Sequence, residues 1–248
     1  MRKYLFALMI AVACSTMACD NHPQPNQDAF SFSGTVSTNN AATSRKKLDI
    51  QPFQAFGLAI HANVWLIPSD NFGVEVEGSE RDIQQLSTAV KDGKWTIKFK
   101  EKNRRHDKMD IYISLPELEA ASISGSGNVT SQGTFSGLDD VNLSISGSGN
   151  MALEMHAKAV KASISGSGNI ELSGSADDLN ISISGSGDTK CASCNTKNCN
   201  ISIAGSGSCW VDASQSLNVR IAGSGDVYYK GSPQIESKIA GSGKVVKG

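Results

Sequence analysis

From residue 119 onward the chain alternates apolar and polar residues, and a short glycine motif interrupts the alternation at a near-constant interval. Gly-Ser-Gly occurs at 125–127, 147–149, 166–168, 185–187, 205–207, 223–225 and 241–243, with spacings of 22, 19, 19, 20, 18 and 18 residues. Counted from the first glycine of each motif, positions −4 and −2 are almost always apolar, as in Ile181 and Ile183, Ile201 and Ile203, Val219 and Ile221. Position −6 continues the series with Val141, Val160, Leu179, Cys199 and Leu217. Beyond each turn the alternation resumes at +4 and +6, as in Ile170 and Leu172 or Val227 and Tyr229. A period of two predicts strands with one buried and one wet face.

Both glycines of each motif fall on the inward parity, with the serine between them pointing out. Such a position needs positive φ or has no room for a side chain. A flexible Gly-Ser linker would not need this flanking alternation. One coil of about 19 residues cannot bury its apolar side alone, but stacked coils can. The expected fold is therefore all-β, a parallel β-helix or solenoid with equivalent positions aligned in ladders. A propeller blade would need roughly 40 residues, about two of these repeats.

Residues 45–118 are β-rich but less regular. Val64-Trp65-Leu66, Val74-Glu75-Val76, Trp95 to Phe99 and Ile111 to Leu115 alternate, Asp92-Gly93 reads as a hairpin turn, and residues 80–90 suit one short helix. Lys100 to Lys108 is a charged run, read as a solvated loop. This section is either a separate cap or a set of irregular coils continuing the stack. A solenoid end needs covering in both cases.

The first residues read as a targeting signal. Arg2 and Lys3 precede an apolar run from Tyr4 to Ala13, too short to span a bilayer. Thr16-Met17-Ala18-Cys19 resembles a lipobox with Cys19 as the lipidated residue, and Cys14 is a second candidate. The expected organisation is a lipoprotein signal peptide over 1–18, a lipid anchor and disordered tether over 19–44, the irregular section over 45–118 and the regular coils over 119–248. The tether is rich in Asn, Gln, Ser and Thr and has too little apolar surface to offset the entropy of ordering it.

The order of motifs resembles the head GIN family, described as auto-transporter adhesin domains. The resemblance covers about residues 45–248. It rests on the Phe53-to-Leu66 opening, Val74 to Gly78, Val90 to Trp95, Leu115-Pro116-Glu117-Leu118 and the Ser-Gly-Ser-Gly-Asn/Asp turns. It implies an exported Gram-negative envelope protein, lipid-anchored in many members, with an adhesin-like role and no catalytic residue to carry over.

Composition and chemistry narrow the picture further. A formal net charge of −1 gives no reason to expect nucleic acid as partner. No Gly-Ser-Gly turn completes a dinucleotide fingerprint or a phosphate loop, and the four histidines lack zinc-ligand spacing. No cofactor or metal is expected. The best enzyme alternative, a polysaccharide-active β-helix, would break its coil regularity at a site, and these coils are monotonous. The Asn and Asp residues at +3 are read as satisfying local turn donors. In an exported protein Cys191, Cys194, Cys199 and Cys209 favour two disulfides, Cys191–Cys209 with Cys194–Cys199 being one of three pairings; a zinc site is the alternative.

The function expected is a binding or adhesin-like module, with a structural or envelope-assembly role as the alternative. Possible partners are a glycan, an envelope or matrix protein, or a second copy of the chain, with the membrane met only through the anchor. The candidate contact surface is the outward +5 position, where Trp210 and Tyr228 should stack in adjacent coils about 4.8 Å apart. Arg220 and Lys238, at −3, also point outward, across the turn from that ladder.

Overall fold

The computed structural model describes residues 43–101 and 106–248. The expected signal peptide, Cys14 and Cys19, and all but the last residues of the tether lie outside them. The described chain is nearly all β, with one short helix.

The regular coils are long strands bent at corners. They are β9 (Asn128–Gly147), β10 (Asn150–Gly166), β11 (Asn169–Gly185), β12 (Thr189–Gly205) and β13 (Cys209–Gly223). Each pairs in parallel with the next, in register, so Ile164 faces Ile183 and Gly166 faces Gly185. The next coil is split into β14 (Val227–Gly231) and β15 (Gln234–Gly241), and β16 (Val245–Lys247) begins a further one by pairing with β14. The parallel solenoid read from the repeats is the fold.

The corner at Gly205-Ser206-Gly207 shows why glycine is needed twice. Gly205 has φ +137°, and a Cβ there would run into the Gly185 carbonyl of the previous coil. A Cβ on Gly207 would strike the Gly187 carbonyl and lie 2.9 Å from Ile183 Cγ2. The backbones approach this closely because Ser206 N–H donates to Gly185 O at 2.9 Å. The first glycine answers to a backbone angle, the second to space.

The unequal repeat lengths are absorbed away from these corners. Between β12 and β13 the pairing jumps from Cys191↔Val211 to Asn195↔Asp212, and between β9 and β10 it is interrupted between Thr130↔Ala152 and Thr134↔Glu154. Extra residues there form bulges that leave the Gly-Ser-Gly ladder in register.

Residues before 119 join the same stack and the same core. β2 (Ala55–Leu58) and β3 (Asn63–Pro68) make an irregular coil. It is flanked on one side by β6 (Lys94–Ile97) and β7 (Asp110–Leu115), and on the other by β8 (Ala120–Gly125) and the start of β9. The coil made second therefore lies outside the coil made first. β4 (Gly73–Ser79) and β1 (Thr43–Leu48) extend the sheet antiparallel beyond β7.

α1 (Glu80–Gln85) follows β4. Ser79 caps it by accepting from Asp82 N–H at 3.3 Å, and Glu80 and Asp82 place negative charge in its first turn. β5 (Val90–Lys91) meets β6 through Asp92-Gly93, whose φ values of +50° and +70° suit a two-residue hairpin turn. Trp95 is wholly buried, and its indole N–H donates to Ser87 O at 2.8 Å. The solenoid interior is filled by Ile, Leu, Val and Met side chains at 0–3 % exposure, including Met151, Leu172, Leu179 and Ile203.

Candidate binding surface

The outward +5 positions form one unbroken ladder. From the cap it runs Tyr112, Trp65, Thr130, Ala152, Glu171, Lys190, Trp210, Tyr228, Val246, each facing the next across paired strands. Trp210 and Tyr228 stack with ring centroids 5.3 Å apart and planes at 10°. Both are half-buried, whereas Val246 is 39 % exposed. The spacing is close to the strand separation expected from sequence, since the rings hang from register partners. Tyr228 O–H approaches Asp226 Oδ2 at 3.4 Å, and Asp226 Oδ1 accepts from Lys244 N–H at 2.9 Å, which steadies the phenol end of the pair.

A second aromatic pair at the cap end was not singled out from sequence. Trp65 and Tyr112 are register partners on the same ladder. The Trp65 indole donates to Asp110 Oδ1 at 3.2 Å, and Arg45 lies 4.3 Å over the Tyr112 ring while its Nε donates to Glu75 at 2.7 Å. One flank of this pair is thus occupied by the chain's own cation. The signal was present: Asn63-Val64-Trp65 repeats the pattern of Asn128-Val129-Thr130. It lacks a Gly-Ser-Gly in front, and so falls outside the repeat count.

Arg220 and Lys238 are also register partners. They line a shallow groove of about 250 Å³ with Ser202, Ala222 and Ala240, on the strand segments that precede the glycine corner. Trp210 and Tyr228 are on the segments that follow it. The structure brings the aromatics together and the cations together, on faces separated by the corner.

On the outer side of the corner, the +3 residues are bonded between coils. Asn128 donates to Asn63, Asn150 to Asn128 and Asn169 to Asn150, at 3.0–3.1 Å, and Asn63 in turn donates to Asp110 at 2.8 Å. Further along, Asp188 N–H donates to Asn169 Oδ1 and Ser208 N–H to Asp188 Oδ1. The sequence reading had these side chains serving their own turns. Parallel stacking in register instead places each amide nearest its equivalent one coil away.

Cys191, Cys194, Cys199 and Cys209 are free thiols, all buried, and neither disulfide of the expected pairing is formed. They occupy interior slots that neighbouring coils fill otherwise: Cys191 faces Val211, Cys199 lies between Leu179 and Leu217, and Cys194 faces Gly174. Here they pack as small apolar side chains. Burial pushes Cys194 up to about 11 and Cys199 up to about 12, and Cys191 and Cys209 well above the ordinary thiol value. Among the described residues no group of three or more His, Cys, Asp or Glu converges as a metal site.

Glu117, Glu119, Asp139 and Asp140 line a groove of about 380 Å³. Asp139 is paired with Lys158 at 2.6 Å, and Glu117 accepts from Gln54 at 2.8 Å.

Comparison with known proteins fixes the family. The model of the family described as "putative auto-transporter adhesin, head GIN domain" matches residues 52–233. The chain belongs to this family. No curated protein matches it. Three crystal structures are similar over nearly their whole length. A putative adhesin from Bacteroides fragilis NCTC 9343 is 22 % identical, covers 83 % of this chain and 96 % of its own, and superposes with a TM-score of 0.76. A putative lipid binding protein from Parabacteroides distasonis ATCC 8503 is 26 % identical over 84 % of this chain and 98 % of its own, with a TM-score of 0.71. A putative adhesin from Parabacteroides merdae ATCC 43184 is 24 % identical over 84 % and 97 %, with a TM-score of 0.69. The family and two of these three proteins are described as adhesins.

Proposed function

We propose that this head GIN protein is a non-enzymatic binding module of the Gram-negative cell envelope, held to the membrane through a lipid on Cys19, and that its contact surface is the Trp210–Tyr228 end of the +5 ladder. The observation that carries this reading is the stacked, half-buried aromatic pair on a backbone fixed by in-register pairing on both flanks. Flat aromatic surface already ordered in this way loses little entropy on contact and suits a sugar ring or the edge of a protein.

The lipid-binding description of the Parabacteroides distasonis protein suggests a different ligand. In this chain the coil interior is occupied by its own side chains, so an acyl chain would have to lie on the outside. The aromatic ladder favours a surface ligand in either case.

The deciding experiment is a glycan and matrix-protein array probed with the wild type and with Trp210→Ala/Tyr228→Ala. Lost binding at an unchanged melting temperature supports the site. A large fall in melting temperature, or binding that survives the double substitution, makes the pair a packing element only. Anchoring is tested separately by Cys19→Ser, which should release the protein from the membrane fraction and abolish lipid labelling.

A further inference from the structure

The coil made of β14 and β15 is covered by β16 along β14 but leaves its interior open along β15. Ile235 and Ile239 are 43 % and 42 % exposed although both sit on the inward parity, and every residue of β15 is exposed. Their equivalents one coil earlier, Leu217 and Ile221, are at 0 % and 2 %. β15 pairs with β13 on one edge, and among the described residues no strand pairs with the other. A free, flat, apolar-backed edge is a template for another strand.

We infer that this edge is the interface of a two-fold homodimer, in which β15 pairs antiparallel with β15 of a second copy about an axis through Ser237. The sequence of the strand is complementary to itself in that arrangement alone. With Ser237 opposite Ser237, Glu236 faces Lys238 and Lys238 faces Glu236, while Ile235 faces Ile239 on the inner side. Acid meets base outside and apolar meets apolar inside, at both symmetry-related ends. A shift by one residue would place Glu236 against Ser237 and push the isoleucines out of opposition. In the single chain Glu236 and Lys238 touch each other at 3.5 Å, both about two-thirds exposed, so their charges are free to be exchanged across the axis at small loss. The joined end coils would then cover each other's Ile235 and Ile239 and continue the core from one solenoid into the next.

Sedimentation of the full chain over a concentration series tests this. The wild type should form a dimer. Lys238→Glu sets acid against acid and should weaken the dimer by about tenfold or more. The exchange Glu236→Lys/Lys238→Glu should restore it. Residues opposite each other in an antiparallel pair have Cα atoms about 4.5–5.5 Å apart, within disulfide reach. Ser237→Cys should therefore give a covalent dimer under a mild thiol oxidant, which takes up the two electrons as the two thiols lose their protons and join. Gln234→Cys, opposite Ala240, should not. A wild type that stays monomeric throughout, or a dimer indifferent to Lys238→Glu and not captured by Ser237→Cys, overturns the proposal.

Discussion

Asn169 donates its side-chain amide to Asn150 Oδ1 at 3.0 Å, one rung of a ladder that joins coils through side chains as well as backbone. Each interior rung both donates and accepts, so removing one unsatisfies two neighbours. The rungs are solvent-accessible, which limits the loss because water can replace a partner. Asn150→Ala should cost about 1 kcal/mol in urea unfolding, and Asn128→Ala a similar amount. A change well below that would mean the ladder adds nothing to the backbone pairing.

The glycine corner should be far less forgiving. In Gly207→Ala the new methyl meets a backbone carbonyl, Gly187 O, which cannot swing away, and the loss should be about 3 kcal/mol. Ser206→Ala, one residue before and pointing outward, should shift the urea midpoint hardly at all. Equal effects at the two positions would contradict the packing described.

Acid should loosen the cap before the coils. Asp82 is 2 % exposed. Burial works against its charge, yet hydrogen bonds from Asp107 N–H, from Ser79 and from Arg81 outweigh it and hold its carboxyl below the usual range. A depressed carboxylate stabilises the fold at pH values above its unfolded pKa of about 3.9, and that contribution fades as pH falls toward the folded value. The melting temperature should therefore decline below about pH 4, and Asp82→Asn should be less stable at neutral pH with a flatter acid limb.

The four interior cysteines should be unreactive toward alkylating reagents in the native protein at neutral pH. In protein that begins after Cys19, intact mass should show no adducts when folded and four after unfolding without reductant. No adducts on unfolding would mean disulfides. The raised thiols add the opposite pH dependence to that of Asp82. Their contribution is complete below the unfolded pKa of about 8.5 and is lost as pH rises toward the folded values. Stability should fall in alkali, and less so in a Cys199→Val variant.

Much of this fold is legible because glycine and alternation are steric statements. Gly205 and Gly207 announce a backbone angle and a close approach, and Ile201 and Ile203 announce which side is inside. Asp92-Gly93 announces its own hairpin. What the pattern does not encode is adjacency. Nothing in Trp95-Thr96-Ile97 says that it lies outside Phe56-Gly57-Leu58 while Ala121-Ser122-Ile123 takes the other side, because all three present the same parity to a neighbour. The same limit hid the partners of Asn128 and Asn150, and the place of Trp65 beside Tyr112. Parity located Trp210 beside Tyr228 and set Arg220 and Lys238 across the turn from them, and the structure places both pairs so.

The bulges at 191–195 and 130–134 let neighbouring coils differ in length while the glycine corners stay aligned. A gene that duplicates or deletes one repeat would therefore meet little resistance from the fold, since each coil touches only the coil before and after it. Every such event would raise or lower the Trp210–Tyr228 pair relative to the cap by one strand spacing, about 4.8 Å. Height above the cap is then a trait that can vary in steps without altering the pair itself.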